Sequence, residues 1–251
     1  MKLTKLLDKI SEYGVYPYTC SADNPENHCI TYATSEKYLN KIEESKKDII
    51  ILVARDETYR IGDPIEGSFE SKIIRVDNVK KTFILLHNYL NRFEDPERHD
   101  IYPMARIHPK AHIGADGMRY IREGDALINM KHMGNVVVKD YTEIGPFSTV
   151  ARATLDSTII EDHARIGHGV YIGHNCRVGE RTVIVDGAIM GGSSEVGNDC
   201  WLGLNCTVRN GVKICDNVFI AMGALVSKNI DKPGMYVGSP AKRIGGWDGS
   251  W

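Results

Sequence analysis

The sequence predicts a mainly β protein in which a small α/β domain precedes a parallel β-helix. Two observations lead to this class: an apolar residue recurs every six positions in the second half, and the first hundred residues show no such period. The recurring residues are Ile160, Ile166, Ile172, Val178, Ile184, Met190, Val196, Leu202, Val208, Ile214, Ile220 and Val226.

A second pattern accompanies the first. The residue four positions after each aliphatic is small or β-branched, as at Cys176, Cys200 and Cys206, and glycine often follows the aliphatic directly. A helix repeats every 3.6 residues and a strand every two, so neither explains a period of six. Short strands joined by corners do, and three hexads close one coil that packs its aliphatic residues on the next coil.

The period is less regular upstream. Val138, Ile144 and Val150 keep it, the frame then slips before Ile160, and Ile107 and Ile113 also fit. The intervening run MRYIREGDALINMKHMGNV has no six-residue period. We expect it to form a loop extruded from the coil, and a loop of this length favours a functional role.

Residues 1–100 are predicted to form the α/β domain, and residues 101–251 the β-helix with a C-terminal tail. Helices are expected over residues 3–13, 36–45 and 79–93, and the apolar run DIIILV at 48–53 predicts a buried strand. A proline-containing linker, EDPERHDIYP, joins the two domains.

Composition excludes several classes of protein. The net charge is −2, which disfavours nucleic-acid binding, and no run of apolar residues is long enough to span a membrane. The N-terminal segment MKLTKLLDKISEYG carries charges throughout and lacks the apolar core of a signal peptide. We therefore expect a cytoplasmic protein whose six cysteines are reduced thiols.

Several short runs resemble the UDP-3-O-acyl-glucosamine N-acyltransferases of the lipid A pathway. They are ADG at 115–117, IG at 144–145, DSTII at 156–160, IGHN at 172–175, VDGAIMGGS at 185–193 and ITYATSEKYLNKIEESKKDIIILVA at 30–54. The resemblance implies a left-handed coil, a homotrimer and an N-terminal nucleotide-binding domain. A left-handed coil departs from the usual right-handed crossover between parallel strands.

Two departures from this family change the expected substrates. Val212 stands where the family has a second histidine, and the tail YVGSPAKRIGGW resembles the ending of nucleotide-aminosugar acetyltransferases that use acetyl-CoA. We therefore expect an N-acyltransferase, most simply an acetyltransferase, that acts on the amine of a UDP- or dTDP-linked amino sugar. We expect acyl-CoA as the donor, with acyl carrier protein as the alternative.

The resemblance assigns catalytic roles to two corner residues. His174, in the run IGHN, matches the family's general base, and imidazole, with a reference pKa of about 6.5, can accept the proton of an attacking amine. Gly192 matches the family's oxyanion glycine, although a corner glycine can also be present only for its backbone conformation. Asn175 is expected to contact the sugar substrate.

Further residues are candidates for binding the two substrates. Tyr32 and Tyr38 have the spacing of the family's stacking aromatics, and the alternative is that Tyr38 only packs its helix on the sheet. Asn205, Gly223 and Lys228 are candidate contacts for pantetheine. Lys242 and Arg243 are candidates for the phosphates of the cofactor, with a plain solvated tail as the alternative.

A zinc hydratase of the γ-carbonic-anhydrase type is a competing hypothesis on the same scaffold. His168 and His174 are six residues apart, and His132 lies 36 residues before His168. The spacing differs from that of the anhydrase family, and His132 lies in the aperiodic run, so we expect no metal. A non-catalytic structural coil is a third hypothesis, which leaves the nucleotide-domain resemblance unexplained.

Overall fold

The computed structural model describes residues 3–13, 16, 18–45, 47–54, 72–92 and 99–249, and the chain forms two compact units. The first unit contains Met1–Asp95 and Met118–Lys131. The second contains Pro96–Gly117 and His132–Trp251. The assignment of a nucleotide-binding role to the first part of the chain stays a prediction.

The first unit is built on a four-stranded parallel sheet in the order β1-β2-β3-β4. The three expected helices are present, and Asn78 caps the third by accepting a hydrogen bond from the Lys81 backbone N–H. The end of the predicted third helix, at residue 93, lies outside the described residues. The elements are α1 Leu3–Ser11, β1 Tyr18–Thr19, β2 Cys29–Tyr32, α2 Glu36–Glu44, β3 Ile49–Ala54, β4 Lys72–Val76 and α3 Val79–Leu90.

The run predicted to be a loop is a β-hairpin that belongs to the first unit. Its strands are β8 Tyr120–Glu123 and β9 Ala126–Asn129, joined by Gly124 and Asp125. Gly124 has a φ of 59°, which a two-residue hairpin turn requires and glycine adopts readily. The loop prediction was therefore wrong in its secondary structure.

Two of the six cysteines form a disulfide, contrary to the expectation that all are thiols. β1 and β2 pair in parallel, with Tyr18 opposite Cys29, and this register brings the Cα atoms of Cys20 and Cys29 to 5.9 Å. That separation lies within the range that a disulfide spans. The other four cysteines are free.

The second unit is a coil with three sheets as its faces, consistent with a left-handed β-helix. The strands pair in parallel, except that the last strand, Lys242–Gly245, pairs antiparallel with Gly234–Val237. Face 1 contains β5 His99–Ile101, β10 Asn135–Val138, β13 Ser157–Ile160, β16 Arg177–Val178, β19 Glu195–Val196 and β22 Lys213–Ile214. Face 2 contains β6 Arg106–Ile107, β11 Glu143–Ile144, β14 Arg165–Ile166, β17 Val183–Ile184, β20 Trp201–Leu202, β23 Val218–Ile220, β25 Gly234–Val237 and β26 Lys242–Gly245. Face 3 contains β7 His112–Ala115, β12 Thr149–Ala151, β15 Tyr171–Ile172, β18 Ile189–Met190, β21 Thr207–Val208 and β24 Leu225–Val226.

The six-residue period is the spacing of the buried side chains along this coil. Each aliphatic of the series from Ile160 to Val226 is at most 4% exposed, and residues 18 apart pair across neighbouring coils, as Ile172 does with Met190. Cys176, Cys200 and Cys206 fill the small positions, and burial raises the pKa of the Cys200 and Cys206 thiols to about 12. These thiols therefore pack the core and are poor nucleophiles.

The coil becomes irregular at one corner, between face 3 and face 1, which we call the third corner. Its segments are residues 116–117, 132–134, 152–156, 173–176, 191–194 and 209–212. Ile172 and Val178 flank the segment 173–176 and are six residues apart, whereas their partners Val150 and Ile160 are ten apart. One coil earlier the spacing from Ile113 to Val138 is 25 residues, because the hairpin is inserted there. The frame slip in the sequence is thus an enlargement of this corner.

No helix among the described residues is long and apolar enough to cross a membrane.

Candidate functional site

The third corner stacks His174, Gly192, Asn210 and Lys228 in one column. Tyr171 pairs with Ile189, Ile189 with Thr207, and Thr207 with Leu225, so these corner residues repeat every 18 positions. Within residues 99–249, which the structure describes without a gap, the backbone N–H groups of His174, Gly192 and Asn210 donate to no protein acceptor. The column therefore presents successive free donors along the coil axis.

The hydrogen bonds of Asn175 determine which nitrogen of His174 is basic. The Thr154 backbone N–H donates to Asn175 Oδ1 at 3.0 Å, so that atom is the amide oxygen. His174 Nδ1 lies 3.0 Å from the same oxygen, which can only accept, so Nδ1 carries the ring proton. Nε2 of the neutral ring is then unprotonated and can act as a base.

Asn175 itself is held firmly in the corner. It has a φ of 58°, a left-handed conformation that asparagine tolerates, and its backbone N–H donates to Thr158 Oγ1 at 2.9 Å. Thr154 Oγ1 is also 3.1 Å from Asn175 Oδ1. The side-chain oxygen is thus directed at protein groups, which suits an orienting role. Its contact with the sugar stays a prediction.

Gly192 lies directly against the basic nitrogen. A Cβ atom at position 192 would lie 2.6 Å from His174 Nε2, which leaves no room for any side chain. Left-handed backbone does not explain this glycine, because the residue of this corner with positive φ is Ser193, at 61°. The glycine leaves the space beside Nε2 open and keeps its own free N–H next to it.

His132 and Gly117 complete the surroundings of His174. The rings of His132 and His174 are 5.4 Å apart and nearly perpendicular, and His132 is fully buried. A Cβ atom at Gly117 would lie 2.7 Å from both His132 Nε2 and His174 Cδ2. The histidine spacing in the sequence suggested only a metal-ligand role for His132 and gave no indication of this contact. The available indication in the sequence was that Gly117 directly precedes the run without a six-residue period, in which His132 lies.

Arg152 fixes the strand end that carries Gly117. Its backbone N–H donates to Ala115 O at 2.9 Å, and its Nε donates to Gly114 O at 2.6 Å. The guanidinium also lies 3.5 Å from Asp116 Oδ1, and the arginine is 8% exposed. A buried arginine that makes several hydrogen bonds to one segment restricts its movement.

The two tyrosines lie at the carboxyl end of β2 and in the first turn of α2. Tyr32 is half-buried, its ring centroid is 4.7 Å from that of Phe83, and its hydroxyl accepts a hydrogen bond from Arg119 at 2.8 Å. Tyr38 is 38% exposed. The carboxyl ends of parallel strands are the usual ligand-binding edge of an open sheet. Tyr38 is thus the more accessible candidate for stacking.

The five candidate cofactor residues fall in three places. Lys228 belongs to the His174 column, and Lys242 and Arg243 lie in β26, where Arg243 Nε donates to Pro233 O. Asn205 and Gly223 lie in the corner between faces 2 and 3, with φ values of 53° and 64°. Left-handed backbone alone accounts for asparagine and glycine at those two positions.

The three histidines of the zinc hypothesis do not form one cluster. His168 lies in a surface groove of about 820 Å³ on face 2, which His174 does not line, and its backbone N–H donates to Asp186 Oδ1 at 2.7 Å. Over the parts of the chain that the structure describes, no group of three or more histidine, cysteine, aspartate or glutamate side chains is placed to hold a metal. His132 and His174 alone adjoin each other.

Comparisons with known proteins agree with the repeat. A family model described as bacterial transferase hexapeptide (six repeats) matches residues 157–192, and one described as hexapeptide repeat of succinyl-transferase matches residues 195–228. The resemblance seen in the short sequence runs is confirmed by curated relatives called UDP-3-O-acylglucosamine N-acyltransferase. That of Herminiimonas arsenicoxydans is 37% identical over 145 residues, which are 57% of this chain and 41% of the relative. That of Coxiella burnetii is 44% identical over 131 residues, 52% of this chain and 38% of the relative.

The chain thus spans about two-fifths of the length of these relatives. Among solved structures, the UDP-N-acetylglucosamine acyltransferase of Arabidopsis aligns with 91% of this chain and 70% of its own, with a TM-score of 0.48 and 14% identity. Because this TM-score and this identity are both low, the fold is described from the strand register alone.

Proposed function

We propose that the third corner is the active site of an N-acyltransferase that acylates the amine of a nucleotide-linked amino sugar. The observation that carries this proposal is the oriented imidazole of His174, whose basic Nε2 faces Gly192 and its free N–H. Acyl transfer to an amine requires a base and, next to it, a donor for the oxyanion. The resemblance to curated N-acyltransferases over 52–57% of the chain supports the same reaction.

The reaction balances with these groups. The amine nitrogen attacks the thioester carbonyl carbon, the C–N bond forms, and the carbonyl oxygen becomes an oxyanion that the Gly192 N–H stabilises. His174 Nε2 removes the proton from the attacking nitrogen. The C–S bond then breaks, and the imidazolium returns the proton to the departing sulfur. The products are an amide and a free thiol, and no covalent enzyme intermediate is needed.

The acyl donor is proposed to lie along the His174 column. The free N–H groups of Gly192 and Asn210 can donate to the amide carbonyls of pantetheine, and Lys228 at the far end of the column provides a positive charge. Acyl-CoA and acyl carrier protein share this arm, so both donors fit. Asn205, Gly223, Lys242 and Arg243 remain candidates for the distal part of CoA.

The nucleotide is proposed to stack on Tyr38, with Tyr32 behind it. Tyr38→Ala is expected to raise KM for the nucleotide sugar about 5- to 100-fold, since stacking on a base contributes about 1–3 kcal/mol per aromatic. KM for the thioester should not change. Tyr32→Phe is the matched control because it keeps the ring beside Phe83 and loses only the Arg119 hydrogen bond. Equal changes in both KM values for Tyr38→Ala would contradict stacking.

A homotrimer is proposed to complete the site. An exposed apolar column on face 3 consists of Tyr171, Ile189 and Leu225. Each lies three residues before a member of the His174 column. Cyclic closure around such a column would place a neighbouring copy beside His174. Light scattering of the purified chain at micromolar concentration should give three times the chain mass. A monomeric mass would overturn the assembly.

The experiment that tests the reaction is a thiol-release assay with acetyl-CoA against a panel of UDP- and dTDP-linked amino sugars. Release that depends on an amino sugar, with an N-acetylated product by mass spectrometry, is the expected result. Release with an acyl carrier protein donor alone would identify the other donor. No release with either donor on any amino sugar would contradict the proposed reaction.

A further inference from the structure

His132 is the fully buried neighbour of the proposed base. Its ring stands at 70° to that of His174 with a centroid distance of 5.4 Å, a geometry in which one ring edge meets the other. Gly117 lets the two rings come together, because any side chain there would occupy the space between them. Asn175 restrains Nδ1 of His174, but a single hydrogen bond at one atom leaves the ring free to tilt. The contact with His132 opposes that tilt.

The segment that leads to His132 is anchored on α3 by two side chains. Asn88 Nδ2 donates to Asn129 O at 2.8 Å, and Asn88 Oδ1 accepts from the Lys131 backbone N–H at 2.9 Å. His87 Nε2 lies 2.8 Å from Lys131 O, and Lys131 Nζ donates to Asn91 O at 3.0 Å. All polar backbone groups of Lys131 are therefore bonded to α3, one residue before His132.

From these contacts we infer that His132 is a positioning residue for the base, and that the α3 anchor fixes His132 through Lys131. The inference rests on the proposed function of His174. His132 is buried and touches no reacting atom; it acts by holding the His174 ring so that Nε2 stays directed at Gly192.

The first test compares two substitutions of His132. His132→Phe keeps a ring of similar shape and should keep kcat within about threefold. His132→Leu removes the ring edge, and kcat should fall about 10- to 100-fold, since small misplacements of catalytic groups cost about that much. KM for both substrates should change by less than twofold. His163→Asn is the matched control, because it removes another histidine ring of the coil, one that stacks on Tyr141, and asparagine tolerates the left-handed backbone of that position.

The second test leaves the corner untouched. Asn88→Ala removes both hydrogen bonds to the hairpin end, and kcat should fall about 3- to 10-fold without a change in KM. In a protein that already carries His132→Leu, Asn88→Ala should lower kcat almost no further. The effects of two substitutions are not additive when one residue acts through the other. Asn88→Ala also keeps the inference testable if a His132 variant does not fold.

A readout independent of turnover is the mobility of the His174 ring, measured by NMR relaxation of histidine-labelled protein. The ring should be rigid in wild type and in His132→Phe and mobile in His132→Leu. Unchanged kcat and unchanged ring mobility in His132→Leu would overturn the inference, as would equal losses in the Leu and Phe variants. If wild type transfers no acyl group, the proposed function fails while the ring mobility still reports on positioning.

Discussion

At the scale of single residues, the site depends on which nitrogen of one histidine is left without a proton. The Thr154 N–H defines the orientation of the Asn175 amide, the amide defines the tautomer of His174, and the tautomer leaves Nε2 facing Gly192. Thr154 thereby acts on the imidazole through the Asn175 amide. Without the hydrogen bonds to Asn175 Oδ1, the imidazole in this corner would populate both neutral tautomers.

Replacement of the base tests this assignment. His174→Asn keeps a polar side chain of similar size and removes the basic nitrogen, so kcat should fall about 10²- to 10⁴-fold, the usual contribution of a general base. KM for either substrate should change little, because the proton is transferred only in the transition state. His168→Asn is the control, since it changes an exposed histidine of another corner. A His174→Asn enzyme that retains a tenth of wild-type kcat would show that His174 is not the base.

Gly192→Ala tests the space beside the basic nitrogen. The new methyl group would lie 2.6 Å from Nε2 and must displace the imidazole or the thioester. We expect kcat/KM to fall at least tenfold while the thermal unfolding midpoint stays near that of wild type, because the backbone at this position is not left-handed. Gly246→Ala, where a methyl group would meet no atom within 4 Å, should have no effect. Equal activity of the two variants would remove Gly192 from the site.

At the scale of elements, a buried carboxylate joins three consecutive strands of face 1. Glu161 follows β13, is 4% exposed, and pairs with Lys139 after β10 and with Arg177 in β16, each at 2.5 Å. The hydrogen bond that Lys139 Nζ donates to Glu161 raises the pKa of Lys139. These ion pairs lie across neighbouring coils, so the carboxylate ties together the coils below and above its own.

Glu161→Gln should therefore destabilise the coil. Loss of one partner of a buried ion pair costs about 3–5 kcal/mol. Because both cations here are partly exposed and can rehydrate, we expect about 1–2 kcal/mol. Urea unfolding provides the measurement. Glu195→Gln, which loses only the exposed pair with Lys213, is the control and should cost less than about 0.5 kcal/mol.

The same comparison has a defined dependence on pH. The folded-state pKa of Lys139 lies above its unfolded value, so its contribution is complete below about pH 10.4 and is lost as the pH rises through the folded-state value. The difference in stability between wild type and Glu161→Gln should thus be constant near neutral pH and shrink above about pH 10.4. A difference that shrinks on mild acidification instead would contradict the role of Lys139.

At the scale of the whole molecule, the sequence was informative where the fold is periodic. Register and core of the coil follow from one spacing, because each coil must bury the same positions. The three helices followed from their apolar patterns. The Cys20–Cys29 disulfide did not, because it depends on the pairing of β1 with β2, and two-residue strands such as β1 leave no recognisable pattern. The hairpin was missed although Gly124–Asp125 between two alternating runs is a turn signal.

The candidate site was only partly predictable for a related reason. Similarity of the IGHN run made His174 a candidate base, but the contacts of His132, Gly117 and Thr154 come from segments that break the period. Periodicity carries no information on where such segments fold. Yet the breaks upstream of Ile160 fall at the corner that carries His174, so the interruptions of the period coincide with the candidate site.

Because residues 18 apart pair across neighbouring coils, an insertion or a deletion in the regular coils keeps the burial pattern only when it is a whole coil long. Duplication of residues 195–212 adds one complete coil in frame, so every aliphatic stays inside, and a cooperative thermal transition at or above the wild-type temperature is expected. Deletion of Gly211 alone is a frameshift of one residue, which turns Val212, Ile214 and the buried positions after them outward at about 1.5–3 kcal/mol each. Circular dichroism during heating distinguishes the two. The regular coils can therefore be added in whole units, whereas the enlarged corner around His174 is an insertion in the repeat.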